Sequence, residues 1–292
     1  MTRARATAIG FLAVLLWASL ALLTVRTAPV PPLLLNAITF AIGGAVGLVW
    51  IAVTDGWRDL RAVPARVYVF GTAALFGYHF LYFSALRLAP PAEASLIAYL
   101  WPLFIVLFSG LLPGERLAAG HLTGALMAFA GAALLVLKGA GFSLAQGWGL
   151  ALAFLAALTW AGYSVLSRRL GAVPTVSVAV FCLGTAALSA CAHLALESTA
   201  LPESSAGWIA CVALGLGPVG IAFYVWDLGV KQGDIQLLGV TAYAAPLLST
   251  MALVIAGIAP ATPRIAVAAV LITSGAALAA RAGAKLRRVS PD

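Results

Sequence analysis

The chain has 292 residues, 63% hydrophobic and only 9% charged, far from the roughly even apolar share and quarter charged share of a soluble domain. That composition excludes a soluble fold. The formal charge of +8 does not point to nucleic acid either, because the basic residues stand singly between apolar runs and form no basic face.

A helical span needs about 20 apolar residues, so the chain reads as an all-α integral membrane protein with room for about ten spans. The first apolar run, at about 7–25, follows Arg3 and Arg5 and so imitates a secretory signal. It is long enough to span and has a counterpart later in the chain, so an uncleaved first helix is expected. Further runs fall at about 31–53, 66–88, 92–112, 117–138, 147–169, 174–196, 206–231, 236–258 and 263–284. Prolines punctuate them: Pro29, Pro31 and Pro32, then Pro90 and Pro91, Pro113, Pro260 and Pro263. Every connection is short and holds no extramembrane domain. The runs lack period-two alternation and are too long for barrel strands. Cys182, Cys191 and Cys211 lie inside apolar runs without metal-like spacing, so they read as small core residues with no disulfide framework.

Lys and Arg in the connections set the orientation. With the N-terminus inside, that face collects Arg3, Arg5, Arg58, Arg61, Arg66, Arg116, Arg168, Arg169, Lys231, Arg281, Lys285, Arg287 and Arg288, and only Arg26, Arg87, Lys138 and Arg264 remain outside. Both termini are therefore expected in the cytoplasm.

The chain also repeats. Ala98-Tyr99-Leu100-Trp101-Pro102 returns as Ala242-Tyr243-Ala244-Ala245-Pro246, and Gly131-Ala132-Ala133-Leu134 as Gly275-Ala276-Ala277-Leu278, both 144 residues on. Trp17-Ala18, Arg26 and Pro31 return 143 residues on as Trp160-Ala161, Arg169 and Pro174, and Arg87 matches Lys231. These anchors predict a five-helix repeat over 1–140, a second over 145–285 and a short basic cytoplasmic tail over 286–292. Five spans is an odd number, so the second repeat enters the membrane from the opposite side. Inverted repeats supply alternating access to a site near the midplane, which predicts a secondary transporter.

Ten spans in two inverted halves, just under 300 residues, with Trp-Ala near the start of each half, resemble the EamA-type branch of the drug/metabolite transporter superfamily. Within it the aromatic-rich stretches Tyr78-His79-Phe80-Leu81-Tyr82 and Tyr99-Leu100-Trp101-Pro102 look like those of bacterial inner-membrane exporters of aromatic and other amino acids. The likeness covers essentially the whole chain. It implies a basket-like bundle with a central cavity, carrier activity and no catalytic motif.

His79 lies well inside the third run, where an ionisable side chain is costly and so faces a cavity or a partner. It is expected to relay a proton or to donate a hydrogen bond to a substrate carboxylate; the bland alternative is a hydrogen-bonded packing histidine. Trp17, Tyr78, Tyr82, Tyr99, Trp101, Trp160, Tyr163 and Tyr243 complete the candidate substrate-binding set. Most of these rings lie deeper than an interfacial belt, where an unpaired O–H or N–H facing lipid is disfavoured. Aromatic walls with a few polar tips suit a small, partly apolar molecule such as phenylalanine. A phosphorylated substrate would call for Lys or Arg deep in the helices, and here these sit near helix ends. Pro102 and Pro246 should each free a carbonyl and kink a helix, marking hinge positions. Asp227 and Lys231, one turn apart, are expected to pair, either as a structural contact or as part of an inner gate, and Arg87 with Glu93 at an outer one. Gly43, Gly44, Gly47, Gly131 and Gly275 read as close-packing positions.

No nucleotide-binding Gly-x-x-x-x-Gly-Lys-Ser/Thr, zincin or nucleophile-elbow motif is present. The chain therefore reads as a non-enzyme with no cofactor or metal, working as a monomer in a lipid bilayer on a small molecule. The competing readings are an exporter of drugs or other hydrophobic metabolites and, from a different class, a channel or scaffold.

Overall fold

The computed structural model describes residues 1–137, 147–257 and 260–289, the last of these with side chains through 286. Among the described residues, ten helices are long and apolar enough to cross a membrane. They are α1 (Arg3–Val25), α2 (Pro32–Thr54), α3 (Ala65–Leu88), α4 (Pro91–Ser109), α5 (Ala119–Val136), α6 (Gly147–Arg169), α7 (Thr175–Leu196), α8 (Ser205–Gln232), α9 (Ile235–Ile255) and α10 (Pro263–Val289). No strand occurs among the described residues. The expected spans match within a few residues. α4 ends at Ser109, short of the expected 112, because its last turn loosens before Pro113-Gly114. α10 runs on through Val289, so the start of the expected tail is helical. Lys138, the 140–145 connection, residue 258 and the end of the tail lie outside the described residues, as do the side chains of Arg287 and Arg288.

Proline sets several helix starts. Pro32 and Pro91 occupy first-turn positions, where the missing N–H has no intrahelical partner to lose, and Pro64 stands just before α3. α9 begins instead on Asp234, whose carboxylate accepts from Leu237 N at 3.0 Å.

Helices pack in pairs: α1 on α8, α3 on α6, α2 on α7, α4 on α9 and α5 on α10. Exchanging the segments that match in sequence turns the first pair into the second and each of the others into itself. Small residues bring these helices close, as expected where lipid offers no hydrophobic drive. A Cβ added to Gly275 would stand 2.4 Å from Gly124 O, and one added to Gly10 would stand 2.8 Å from Gly229 Cα.

Three helices are interrupted near mid-length. α1 breaks at Ala18-Ser19, α4 at Tyr99-Leu100 and α9 at Ala242-Tyr243, and α8 widens into a π turn over Gly217–Ile221. The breaks in α4 and α9 share the matching residues Tyr99 and Tyr243, each three residues before its proline, Pro102 or Pro246. Proline lacks the N–H for the carbonyl four residues back and crowds it, so the chain turns there before resuming its helix. For convenience, the end of the bundle holding the N-terminus is called the near end and the other the far end.

Candidate functional site

The breaks aim aromatic side chains at the middle of the bundle. Trp17 ends the first segment of α1 and Trp101 begins the second segment of α4. Trp17 meets its sequence counterpart Trp160 edge to face, with ring centroids 5.8 Å apart. Trp101 stands edge-on to both, at 6.0 and 6.2 Å. Phe223 joins the group at 6.3 Å from Trp17 and 5.6 Å from Trp160, and Trp226 lies beneath on the near side. Trp17 Nε1 donates to Pro218 O at 3.0 Å, a carbonyl in the π turn of α8. Trp226 Nε1 donates to Ser164 Oγ at 3.1 Å. The result is an aromatic floor.

Above the floor lies a cavity of about 740 Å³ that reaches the far end through the α1–α2 connection, where Thr27, Pro29 and Val30 line it. Trp17, Tyr78, His79, Tyr82, Tyr99, Trp101 and Trp160 all line it, with Asn36, Thr39, Phe223 and Ser249. No Asp, Glu, Lys or Arg is among the described lining residues. Tyr78 stacks on Tyr82, whose hydroxyl is 2.9 Å from Ser95 Oγ. His79 is held by Nδ1, 2.7 Å from Leu75 O. A carbonyl only accepts, so Nδ1 carries the proton and Nε2 of the neutral ring is an acceptor. In that neutral form its donor is spent on its own helix, so the expected donation to a substrate carboxylate would need a second proton on the ring.

Two expected lining residues lie elsewhere. Tyr163, one turn beyond Trp160, is buried below the floor, 5.4 Å from Trp160 and 6.0 Å from Phe70 between ring centroids. Tyr243 is fully buried toward α5 and packs on Phe129; its hydroxyl accepts from Leu103 N at 3.1 Å. That N–H follows Pro102 at the α4 break, so Tyr243 ties the two interrupted helices together instead of facing the cavity.

Of the expected gate pairs, Asp227 and Lys231 meet at 2.8 Å, both almost fully buried. Lys231 Nζ also donates to Val173 O at 2.9 Å, and Thr175 Oγ1 donates to Asp227 at 2.8 Å. The pairing of Arg87 with Glu93 is corrected. Arg87 reaches Glu197 at 2.5 Å, because α3 packs beside α7 and carries Arg87 toward the end of that helix. Glu93 is buried in the first turn of α4, and its Oε2 has no hydrogen-bond partner. Glu197 is the hub of the far-end contact: it also accepts from Leu33 N and Leu34 N, at the start of α2, and lies 3.0 Å from His193 Nδ1.

The near end is sealed. Arg168 donates to the carbonyls of Val230 and Gly233, each at 2.8 Å, placing its charge on the carbonyl end of α8. It also pairs with Glu115, which takes Arg3 at 3.0 Å. Asp234 N donates to Thr7 Oγ1 at 2.8 Å. With the Gly10 to Gly229 backbone contact, α1, α6, α8, α9 and the α4–α5 connection close beneath the floor.

The sequence reading missed Asn36, Glu115, Arg168, Asp234 and Glu197. Asn36 was visible as an amide five residues inside a long apolar run, a signal of the kind that marked His79. Glu115, Arg168, Asp234 and Glu197 sit at helix ends, where charge is ordinary, and nothing in the order of residues tells which end closes on which.

The model of the EamA-like transporter family matches residues 5–137 and again 147–281. An aromatic amino acid exporter, YddG, of Ancylobacter novellus is 56% identical, with 96% of this chain and 98% of that protein covered. The aromatic amino acid exporter YddG of Salmonella typhimurium is 25% identical over 86% of this chain and 88% of its own. A solved crystal structure at 55% identity superposes with a TM-score of 0.91, covering 95% of this chain and 98% of that one.

Proposed function

The chain belongs to the EamA-like transporter family, and from that premise we propose that it exports amino acids, aromatic ones such as phenylalanine among a broad range, across the inner membrane by alternating access. The observation that carries this reading is the cavity itself: aromatic walls, neutral polar tips, an opening at the far end and a hydrogen-bonded seal at the near end. Such a lining suits a small molecule with an aromatic side chain, and it offers no cation to a phosphate. The names of the two YddG relatives point the same way.

Two five-span repeats, 1–140 and 145–285, of opposite orientation account for the paired packing and for the matching breaks in α4 and α9. Exchanging the conformations of the halves would open the near end and close the far one. Pro102 and Pro246 are the hinges in this account, Asp227 and Lys231 belong to the inner gate, and Arg87 with Glu197 to the outer rim. The excess of Lys and Arg at the near end puts that end and both termini in the cytoplasm. The cavity described here then faces outward. Both repeats are present in each chain, so a monomer suffices.

The test is counterflow in proteoliposomes loaded with unlabelled phenylalanine. Labelled phenylalanine should accumulate transiently and saturably, and a lipophilic cation should not compete. Accumulation of the cation in place of phenylalanine would favour a hydrophobic-drug exporter, and non-saturable equilibration would favour a channel.

A further inference from the structure

A zwitterion entering this cavity meets no charged side chain, so both its charges have to be received by dipoles, or their desolvation goes uncompensated. Which charge goes where is decided by groups whose hydrogen-bonding role is fixed. Indole N–H only donates. Trp101 lines the cavity, and its Nε1 makes no hydrogen bond among the described residues. His79 Nδ1 is committed to Leu75 O, which leaves Nε2 as an acceptor, again without a protein partner. Asn36 Nδ2 donates to Ser189 Oγ at 2.7 Å, which turns the amide so that Oδ1 remains. The hydroxyl of Tyr99 is unbonded to protein and serves either role.

These groups are sorted in space. Asn36 belongs to α2 and His79 to α3, and the two helices meet where Phe40, one turn after Asn36, packs edge-on against the His79 ring at 5.0 Å. Trp101 and Tyr99 stand at the break of α4. The path between the His79 and Trp101 rings runs across the floor through Phe223 and Trp17, in steps of 6.1, 6.3 and 6.0 Å. Acceptors therefore occupy one wall and the Trp101 donor the other, with the aromatic floor between them; the indole N–H of Trp160, which also has no partner among the described residues, is buried within that floor.

Resting on the amino-acid reading above, we infer that the substrate binds in one orientation, its ammonium group on His79 Nε2 and Asn36 Oδ1 and its carboxylate on Trp101 Nε1 and Tyr99 Oη. His79 and Trp101 are then the residues that select α-amino acids over aromatic monocarboxylates and aromatic amines. The second half could not provide this polarity from its matching positions, since it carries Phe223 for His79 and Ala245 for Trp101.

The experiment is phenylalanine counterflow with two competitors, 3-phenylpropionate, which lacks the ammonium group, and 2-phenylethylamine, which lacks the carboxylate. In the native chain each should compete at least about tenfold more weakly than phenylalanine, the scale of one hydrogen bond to a charged group. In His79→Phe the handicap of phenylpropionate should shrink to within about threefold while that of phenylethylamine persists, and Trp101→Phe should give the reverse. His79→Gln, which restores an acceptor, should recover the phenylpropionate handicap. If a Phe variant does not transport, the same competitor ratios are read from quenching of tryptophan fluorescence in detergent. Equal loss of both handicaps in each variant, or loss of neither, overturns the orientation. Failure of the native chain to take phenylalanine at all would instead overturn the amino-acid reading.

Discussion

The two ends of the bundle are built from segments that match in sequence, yet they do opposite things. Arg168, which seals the near end, matches Val25, which lines the far-end cavity. Asp227 and Lys231, an ion pair at the near end, match Phe83, another lining residue, and Arg87, which instead reaches across to Glu197. His79 and Trp101 in the cavity wall match Phe223 and Ala245. In the transport cycle proposed above, the first half carries the chemistry for substrate and the second most of the chemistry for closure. Symmetry sets where a gate and a site can be, and the side chains decide which half performs which task.

The largest expected effect comes from removing the centre of the seal. Arg168→Ala deprives two carbonyls of their donor and leaves Glu115 with Arg3 alone, and breaking a largely buried pair of this kind costs about 3 kcal/mol. Its melting temperature in detergent should fall. In a background with Cys182, Cys191 and Cys211 replaced, a cysteine at Ala13, buried beneath the floor, should react with a membrane-impermeant thiol reagent about tenfold faster than with Arg168 intact. An unchanged rate would mean that the glycine contact of α1 with α8 closes the near end by itself.

The matching tyrosines at the two helix breaks sharpen the comparison. Tyr243→Phe removes the acceptor for a buried N–H and should destabilise the protein by about 1–3 kcal/mol, read as a lower melting temperature. Tyr99→Phe, whose hydroxyl faces the cavity, should leave the melting temperature within error and raise the phenylalanine KM. If the two variants exchange these phenotypes, the division of labour between the halves is wrong.

The smallest effect is expected at the far-end rim. Arg87 is half exposed, and Glu197 keeps two backbone N–H donors and His193 without it. Arg87→Gln should therefore change stability by under about 1 kcal/mol. A loss as large as that of Arg168→Ala would make the rim a lock equal to the seal.

Much of this was legible in the order of residues. The ten spans could be read because length and apolarity alone define a helix in lipid. The breaks in α4 and α9 could be read because proline both withholds an N–H from the helix and crowds the carbonyl four residues back. His79 stood out because a polar side chain at depth needs a reason. What failed was rotation and reach. Tyr243 matches Tyr99 yet points toward α5, because the helix around it faces a different neighbour. Arg87 sits close to Glu93 in sequence, but a reversal at Ala89-Pro90 buries one side chain and sends the other to α7. The direction of His79 as a hydrogen-bond partner depended on a carbonyl four residues back, which no spacing rule reveals.

The central claim is that substrate crosses only when the near-end seal opens as part of a cycle. Cysteines at Arg3 and Glu115, which touch across that seal, can be joined by a short bifunctional thiol-cleavable cross-linker in the background with the three native cysteines replaced. The account predicts that phenylalanine counterflow in proteoliposomes falls to background when the link is made and returns on reduction, with the unlinked variant active throughout. Counterflow continuing at the unlinked rate with the seal covalently closed would contradict it.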